Sequence, residues 1–363
     1  MRTRPKRKQW SPLALKLHQM QLPREVVLGN GTLELIVPIC RKLGFSEAAF
    51  VVTGVETYMV AVRRVIDLLN DSGISTDHLL VYSATMEEVE AVKTKVKETK
   101  PQVILGVGGG TKIDVAKLSA AYRGIPFISV PTTASHDGIA SPLASVKGSD
   151  KPYSIMAQAP MAIIADTSVI VQAPHRYTAS GCGDVLAKFT AVQDWFLAHK
   201  RRKEYYGEYA ASLALMSAKL VSRNAESIKP GDEEGLRVLL EALISCGVAM
   251  SIAGSSRPSS GSEHLFGHAL DLVAPKSAMH GEQTGVGTIM MARLQKQNWR
   301  RIRSKLEKVG APSTADELGV EPEDVIEALV KAKKIRPERY TILDNVKLSY
   351  KSAKSLAKKT GVI

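Results

Sequence analysis

Residues 102–117, QVILGVGGGTKIDVAK, decide the fold class of this chain. An apolar run reaches Gly106 and passes through Gly108, Gly109 and Gly110 into a stretch with helical spacing. Glycines between a strand and a helix let the backbone approach a pyrophosphate, and free N–H groups at the helix start attract its charge. The spacing is not G-x-G-x-x-G, so the usual dinucleotide fingerprint is absent. On these residues alone, a turn that merely needs positive φ accounts for the glycines equally well.

Outward from this turn, apolar runs alternate with amphipathic stretches from about residue 24 to residue 174. AAFVVTG (48–54), HLLVYS (78–83), PFISVPTT (126–133) and the start of MAIIADTSVI (161–170) read as strands. VAVRRVIDLLNDSG (60–73), MEEVEAVKTKVKETK (86–100) and the segment beginning at Thr111 read as helices. This alternation predicts an α/β domain with a parallel sheet, helices on both faces, and ligands at the carboxyl ends of the strands. After Pro174 the texture becomes helical throughout, as in YGEYAASLALMSAKLVSRNAESI. The expected organisation is a basic extension over 1–21, a dinucleotide-binding domain over 22–174 and an all-α domain over 175–363, with the active site in the cleft between the two domains.

Bulk properties narrow the function classes. The chain has 363 residues and is 44% hydrophobic, enough to bury two cores. Apolar runs break short of the roughly 18 residues that suggest a transmembrane helix, and the basic N-terminus has no apolar signal-peptide core. The net charge of +13 is concentrated at the ends: five Lys/Arg without an acid in residues 1–10, and fifteen basic against nine acidic residues in 300–363. The body is nearly neutral, and no motif points to specific nucleic-acid binding. Cys40, Cys182 and Cys246 are scattered, which fits a reducing compartment rather than a disulfide framework. A soluble cytoplasmic protein is expected.

Three residues have the chemistry of a metal site. Asp184 in SGCGD, His264 in GSEHLFGH and His280 in MHGEQ offer one carboxylate and two imidazoles, a set suited to Zn²⁺ or Fe²⁺ with an open position for substrate. His264 and His268 are four apart, so both can face one site. Asp184 reads as lying at a helix start, where capping is its other reading. PTTASHDG, at the end of a strand, offers Thr132, Thr133 and Ser135 to a cofactor. Its Asp137 reads as a polyol ligand or a helix N-cap. Lys188, one turn beyond Asp184, is a candidate cation for a substrate phosphate or a solvated helix lysine.

These motifs, in this order, resemble the polyol-dehydrogenase branch of the iron-containing alcohol dehydrogenase and dehydroquinate synthase superfamily. Within it the resemblance is greatest to the sn-glycerol-1-phosphate dehydrogenases. LGNGTL, GVGGGTKIDVAK, PTTASHDGIASP, SGCGD, GSEHLFGHAL and MHGEQ carry it across roughly residues 22–350. The resemblance implies reduction of dihydroxyacetone phosphate to sn-glycerol 1-phosphate with NADH or NADPH, for archaeal ether lipids, by a homo-oligomer. It implies Zn²⁺ on Asp184, His264 and His280, and substrate on Asp137, Asp184 and His268. It also implies a cofactor lined by Gly108, Gly109, Gly110, Thr111, Lys112, Ile113 and Asp114, with Thr132, Thr133, Ala134, Ser135 and Ser141. The chain departs from the iron enzymes at Lys188, where those enzymes have a further histidine. It departs from dehydroquinate synthases at Asp184, where those generally have Glu. A glycerol dehydrogenase acting on unphosphorylated polyols and a cyclising lyase are the alternatives. Glu56, after AAFVVT, is the acid available to a ribose hydroxyl.

Overall fold

The computed structural model describes residues 18, 20–148, 154–274 and 278–363, so nearly all of the basic N-terminal extension lies outside the described residues. Six strands form a parallel sheet: β1 (Glu25–Gly29), β2 (Ala48–Thr53), β3 (Ser75–Leu80), β4 (Val103–Gly108), β5 (Phe127–Pro131) and β8 (Ala162–Asp166). A small antiparallel hairpin, β6 (Leu143–Ala144) with β7 (Ile155–Met156), lies apart from it. Fully buried parallel strands must be apolar on both faces. Phe50, Ile104 and Phe127 accordingly enter one core, while their neighbours Val51, Leu105 and Ile128 enter another. The expected α/β class with a helical second half is what forms.

The strand order β1-β8-β5-β4-β2-β3 places the reversal of winding between β2 and β4. In an open parallel sheet, the crevice for a ligand opens at that point beyond the carboxyl ends. Two local expectations shift. The strand expected at 78–83 pairs over Ser75–Leu80, in register with Ala48–Thr53. The helix expected at 60–73 begins as a wider turn, Tyr58–Val62, before Arg63–Asp71.

From His175 onward the described elements are helical. The Glu233–Ala253 helix is apolar and long enough to cross a bilayer by composition, a test that residue runs alone did not flag. Most of it is buried inside the protein, as in the core helix of a globular domain. Its ends are set locally. Asp232 accepts the Gly235 N–H at its start, and Gly254 turns left-handed at φ 63° after its end.

Two further helices, His175–Leu186 and His280–Leu294, touch backbone to backbone. A Cβ on Gly183 would collide with the Gly281 carbonyl oxygen, and one on Gly281 with the Ser180 carbonyl oxygen. Each of these glycines neighbours an expected metal ligand, Asp184 in one helix and His280 in the other. Gly183→Ala tests this contact, because alanine improves helix propensity by about 1 kcal/mol whereas forcing the helices apart costs about 1–3 kcal/mol. The expected outcome is a lowered urea midpoint; a raised midpoint would show that the approach is not tight.

Candidate metal and active site

The Ser262–Val273 helix presents His264, His268 and Asp271 along one stripe, and all three line a cavity of about 460 Å³. His280 is the first residue of the His280–Leu294 helix. The start of that helix is fixed by the Glu282 carboxylate, which accepts the Met279 N–H at 2.8 Å and pairs with Arg176 through bonds of 2.6 and 2.8 Å. Asp184 approaches from the last turn of the His175–Leu186 helix. One ligand atom from each of Asp184, His264 and His280 falls within a group spanning at most 4.8 Å. One carboxylate and two imidazoles at that spacing could hold a divalent cation.

Charge makes the same case for a cation. Asp184 is 1% exposed, and Glu263 is fully buried beside His264. Asp137 and Asp184 share the Lys188 ammonium, at 2.8 and 2.7 Å. With neutral imidazoles, the carboxylates of Asp137, Asp184 and Glu263 face one ammonium, so the cluster is two positive charges short. Burial alone would raise the Asp184 carboxyl. Lys188 and the His264 ring outweigh burial and hold it well below the ordinary range. Burial would lower His264, but the Asp184 and Glu263 carboxylates outweigh that and favour its cationic form. A metal ion would supply the positive charge they seek. Glu263 also sets the ring: its carboxylate lies 2.8 Å from Nδ1 of His264, leaving Nε2, 3.6 Å from Asp184, toward the site.

The expected cofactor residues separate between two adjoining cavities. The smaller, about 300 Å³, is lined by Gly109, Gly110, Thr111, Lys112, Thr133 and Ser135, together with Glu56. It lies where the sheet order reverses, between the segments that follow β2 and β4. The Gly110–Arg123 helix begins there without a side-chain cap, and Thr133 Oγ1 is buried without a partner. An uncapped helix start and an orphan hydroxyl fit a phosphate-bearing cofactor. Asp114 and Ser141 line the larger cavity instead, and Thr111, His136 and His280 border both. Gly108, Ile113, Thr132 and Ala134 line neither cavity. Ile113 and Ala134 are core residues, and the buried Thr132 hydroxyl has no partner. The Asp114 carboxylate is engaged by Lys117 at 3.0 Å and by the Ser145 N–H at 3.0 Å.

Three readings of single residues change. Asp184 is not at a helix start: Gly183 beside it serves a helix contact, Gly181 a contact with the Ala134 carbonyl, and its carboxylate accepts the Asp137 N–H at 2.8 Å. Asp137 is not an N-cap, because His136 caps that turn by accepting the Gly138 N–H at 2.9 Å. Lys188 is neither solvated nor available to a substrate phosphate, since it is fully buried between two carboxylates. His136 itself was missed. The available signal was the pair Gly110 and Gly138, since a Cβ on either would strike its ring.

The first half of the chain, residues 27–174, matches the iron-containing alcohol dehydrogenase family. A glycerol-1-phosphate dehydrogenase [NAD(P)+] of Methanosarcina mazei is 55% identical over 95% of this chain and 96% of its own length. The enzyme of the same description from Pyrococcus furiosus is 54% identical over 96% of this chain and all of its own. The chain belongs to the glycerol-1-phosphate dehydrogenase family. It is therefore an oxidoreductase. Among solved structures, glycerol dehydrogenase from Schizosaccharomyces pombe superposes with a TM-score of 0.77 at 22% identity, covering 95% of this chain and 91% of that one. This likeness shows the shared fold.

The family member in hand has two imidazoles that resist protonation. Burial, then the nearby His264, pushes His280 down to about 3, and burial with His280 and His264 holds His268 well below the ordinary range. Below the ordinary histidine value of 6.5, the unfolded chain binds protons that these folded rings refuse. Stability of the metal-free protein should then fall as pH falls. His264 has the opposite shift and acts above that value. Thermal unfolding in chelator from pH 7 to pH 4 should show Tm falling, with a shallower fall in His280→Gln; equal slopes would contradict a neutral buried His280.

Proposed function

We propose that this chain catalyses the NAD(P)H-linked reduction of dihydroxyacetone phosphate to sn-glycerol 1-phosphate, supplying the backbone of ether lipids. The observation that carries this reading is identity above half along nearly the whole length of the named dehydrogenases, with His264 and His280 on the cavity wall and Asp184 grouped with them just behind it. The three buried free cysteines are consistent with a reducing, cytoplasmic setting.

Asp184, His264 and His280 would hold a zinc ion. Gly109, Gly110, Thr111, Lys112, Thr133 and Ser135 would hold the pyrophosphate and nicotinamide portions of the cofactor, with Glu56 at the ribose. When bound, the ion supplies Lewis acidity at the ketone and the nicotinamide supplies the hydride. The chain supplies position and a proton path. Lys188 holds Asp137 and Asp184 in register, so that a substrate hydroxyl meets a fixed Asp137 carboxylate. His268, on the cavity wall, stays neutral, so one ring nitrogen can donate a hydrogen bond and the other accept one, and the proton for the product oxygen comes from water.

The test is zinc content and NAD(P)H oxidation in the wild type and His264→Ala, with dihydroxyacetone phosphate and dihydroxyacetone in parallel. The wild type is expected to prefer the phosphate and yield the sn-1 product. His264→Ala should lose bound zinc and at least about a thousandfold in kcat/KM together. Preference for dihydroxyacetone would move the chain to polyol dehydrogenation, and full activity without metal would remove the metal from the mechanism.

A further inference from the structure

The larger cavity has one wall that the scheme above leaves unused. It is made by Ser256, Ser259 and Ser260, in the turn just before the Ser262–Val273 helix. Ser259 is 2% exposed, and its hydroxyl has no hydrogen-bond partner. An unsatisfied buried hydroxyl costs roughly 1–3 kcal/mol, and on a cavity wall it invites a ligand atom. Arg339 stands behind the turn. Its Nη1 donates to the Ser260 carbonyl at 2.6 Å and its Nη2 to the Ser256 hydroxyl at 2.7 Å.

Neighbouring Arg257 is neutralised by Glu204. Among the described residues, no carboxylate lies within ion-pair distance of Arg339. Burial, then Arg336 and Arg257, push its guanidinium down to about 9 against the opposing pull of Glu204 and Glu263, so it remains charged at neutral pH. The carboxylates on the cavity wall are occupied elsewhere: Asp114 by Lys117, Asp137 by Lys188, and Asp271 by the Gln283 amide. The wall formed by the turn therefore has a guanidinium behind it with no ion pair of its own among the described residues, while the Glu263 and Asp194 carboxylates beneath are taken up by the backbone N–H groups of Gly261 and Ser262.

We propose that Ser259, Ser256 and Ser260, oriented and charged by Arg339, form the subsite that receives the phosphate group of the substrate. This rests on the reading of the substrate as a triose phosphate. Hydroxyls point at the phosphate oxygens, and the guanidinium behind them supplies the charge. Arg339 acts here as a positioning residue. Lys147, which lines the same cavity from the hairpin side, is the competing cation.

Two readouts test the assignment on the metal-loaded protein: calorimetric binding of inorganic phosphate, and steady-state kinetics with dihydroxyacetone phosphate and dihydroxyacetone. Ser259→Ala removes an oxygen that no protein group uses, so the fold is left intact. It is expected to weaken phosphate binding and raise KM for the phosphorylated substrate about tenfold, the loss of one charge-assisted hydrogen bond. The kcat/KM preference for dihydroxyacetone phosphate over dihydroxyacetone should fall by the same factor. Arg339→Lys retains a charge but not the forked contact, and should raise the same KM with little change in kcat. Wild-type phosphate affinity in both variants, or transfer of the loss to Lys147→Ala, would overturn the subsite. Weaker phosphate binding in Ser259→Ala without turnover of dihydroxyacetone phosphate by the wild type would uphold the subsite and reject the substrate.

Discussion

Asp184 is a carboxylate taken almost wholly out of water, and much of the surrounding structure compensates for that burial. An isolated charge in such a place costs several kcal/mol, so it persists only when paired and hydrogen-bonded. Lys188 pairs with one of its oxygens, and the Asp137 N–H satisfies the other. The same ammonium then fixes Asp137, so a single buried cation couples a metal-ligand candidate to the loop that faces the substrate cavity. The glycine contact between the His175–Leu186 and His280–Leu294 helices completes the arrangement. Without that close approach His280 would stand too far from Asp184 to share an ion.

This coupling bears on the position where the iron-containing enzymes have a further histidine. A protonated lysine has donors and no lone pair, so Lys188 cannot ligate while it pairs with Asp184. Each carboxylate oxygen still has a second lone pair, so the pairing does not block Asp184 from a metal. The substitution exchanges a fourth neutral ligand for a fixed positive charge just outside the ligand set. A three-ligand site with an open position suits zinc chemistry. Were an ion bound there, the nearby ammonium would offset part of the carboxylate's charge and leave the ion a stronger Lewis acid.

Much of this was legible in the sequence because the signals were periodic or chemically singular. Buried parallel strands had to be apolar runs, and the histidines at 264, 268 and 280 had few alternative explanations in one stripe and one helix start. Lys188 was legible only as a residue on the Asp184 face. Whether that face is wet depends on helices far along the chain, and spacing contains no such information. Gly183 in SGCGD misled for a related reason. Glycine at a helix start and glycine at a helix crossing look alike in one dimension, and only the partner Gly281 tells them apart. His136 left only an indirect signal, because its pocket is defined by missing side chains at Gly110 and Gly138.

The charge distribution teaches the same lesson at larger scale. The sequence shows a basic chain with a neutral body, which argues against nucleic acid but says nothing about where within the body a charge is left unbalanced. The fold shows two such places, one in the body and one in the basic C-terminal stretch. Around Asp184 the balance is negative, as a cation site requires; Arg339 forms no ion pair among the described residues, as the proposed anion subsite requires. His264 beside Asp184 and the serine turn in front of Arg339 line one cavity, so under the proposed subsite a ligand with a carbonyl at one end and a phosphate at the other would meet a complementary group at each end. A neutral polyol would engage only the first. Discrimination of this kind comes from buried groups left unpaired when the wrong ligand binds, which costs more than the loss of a surface contact.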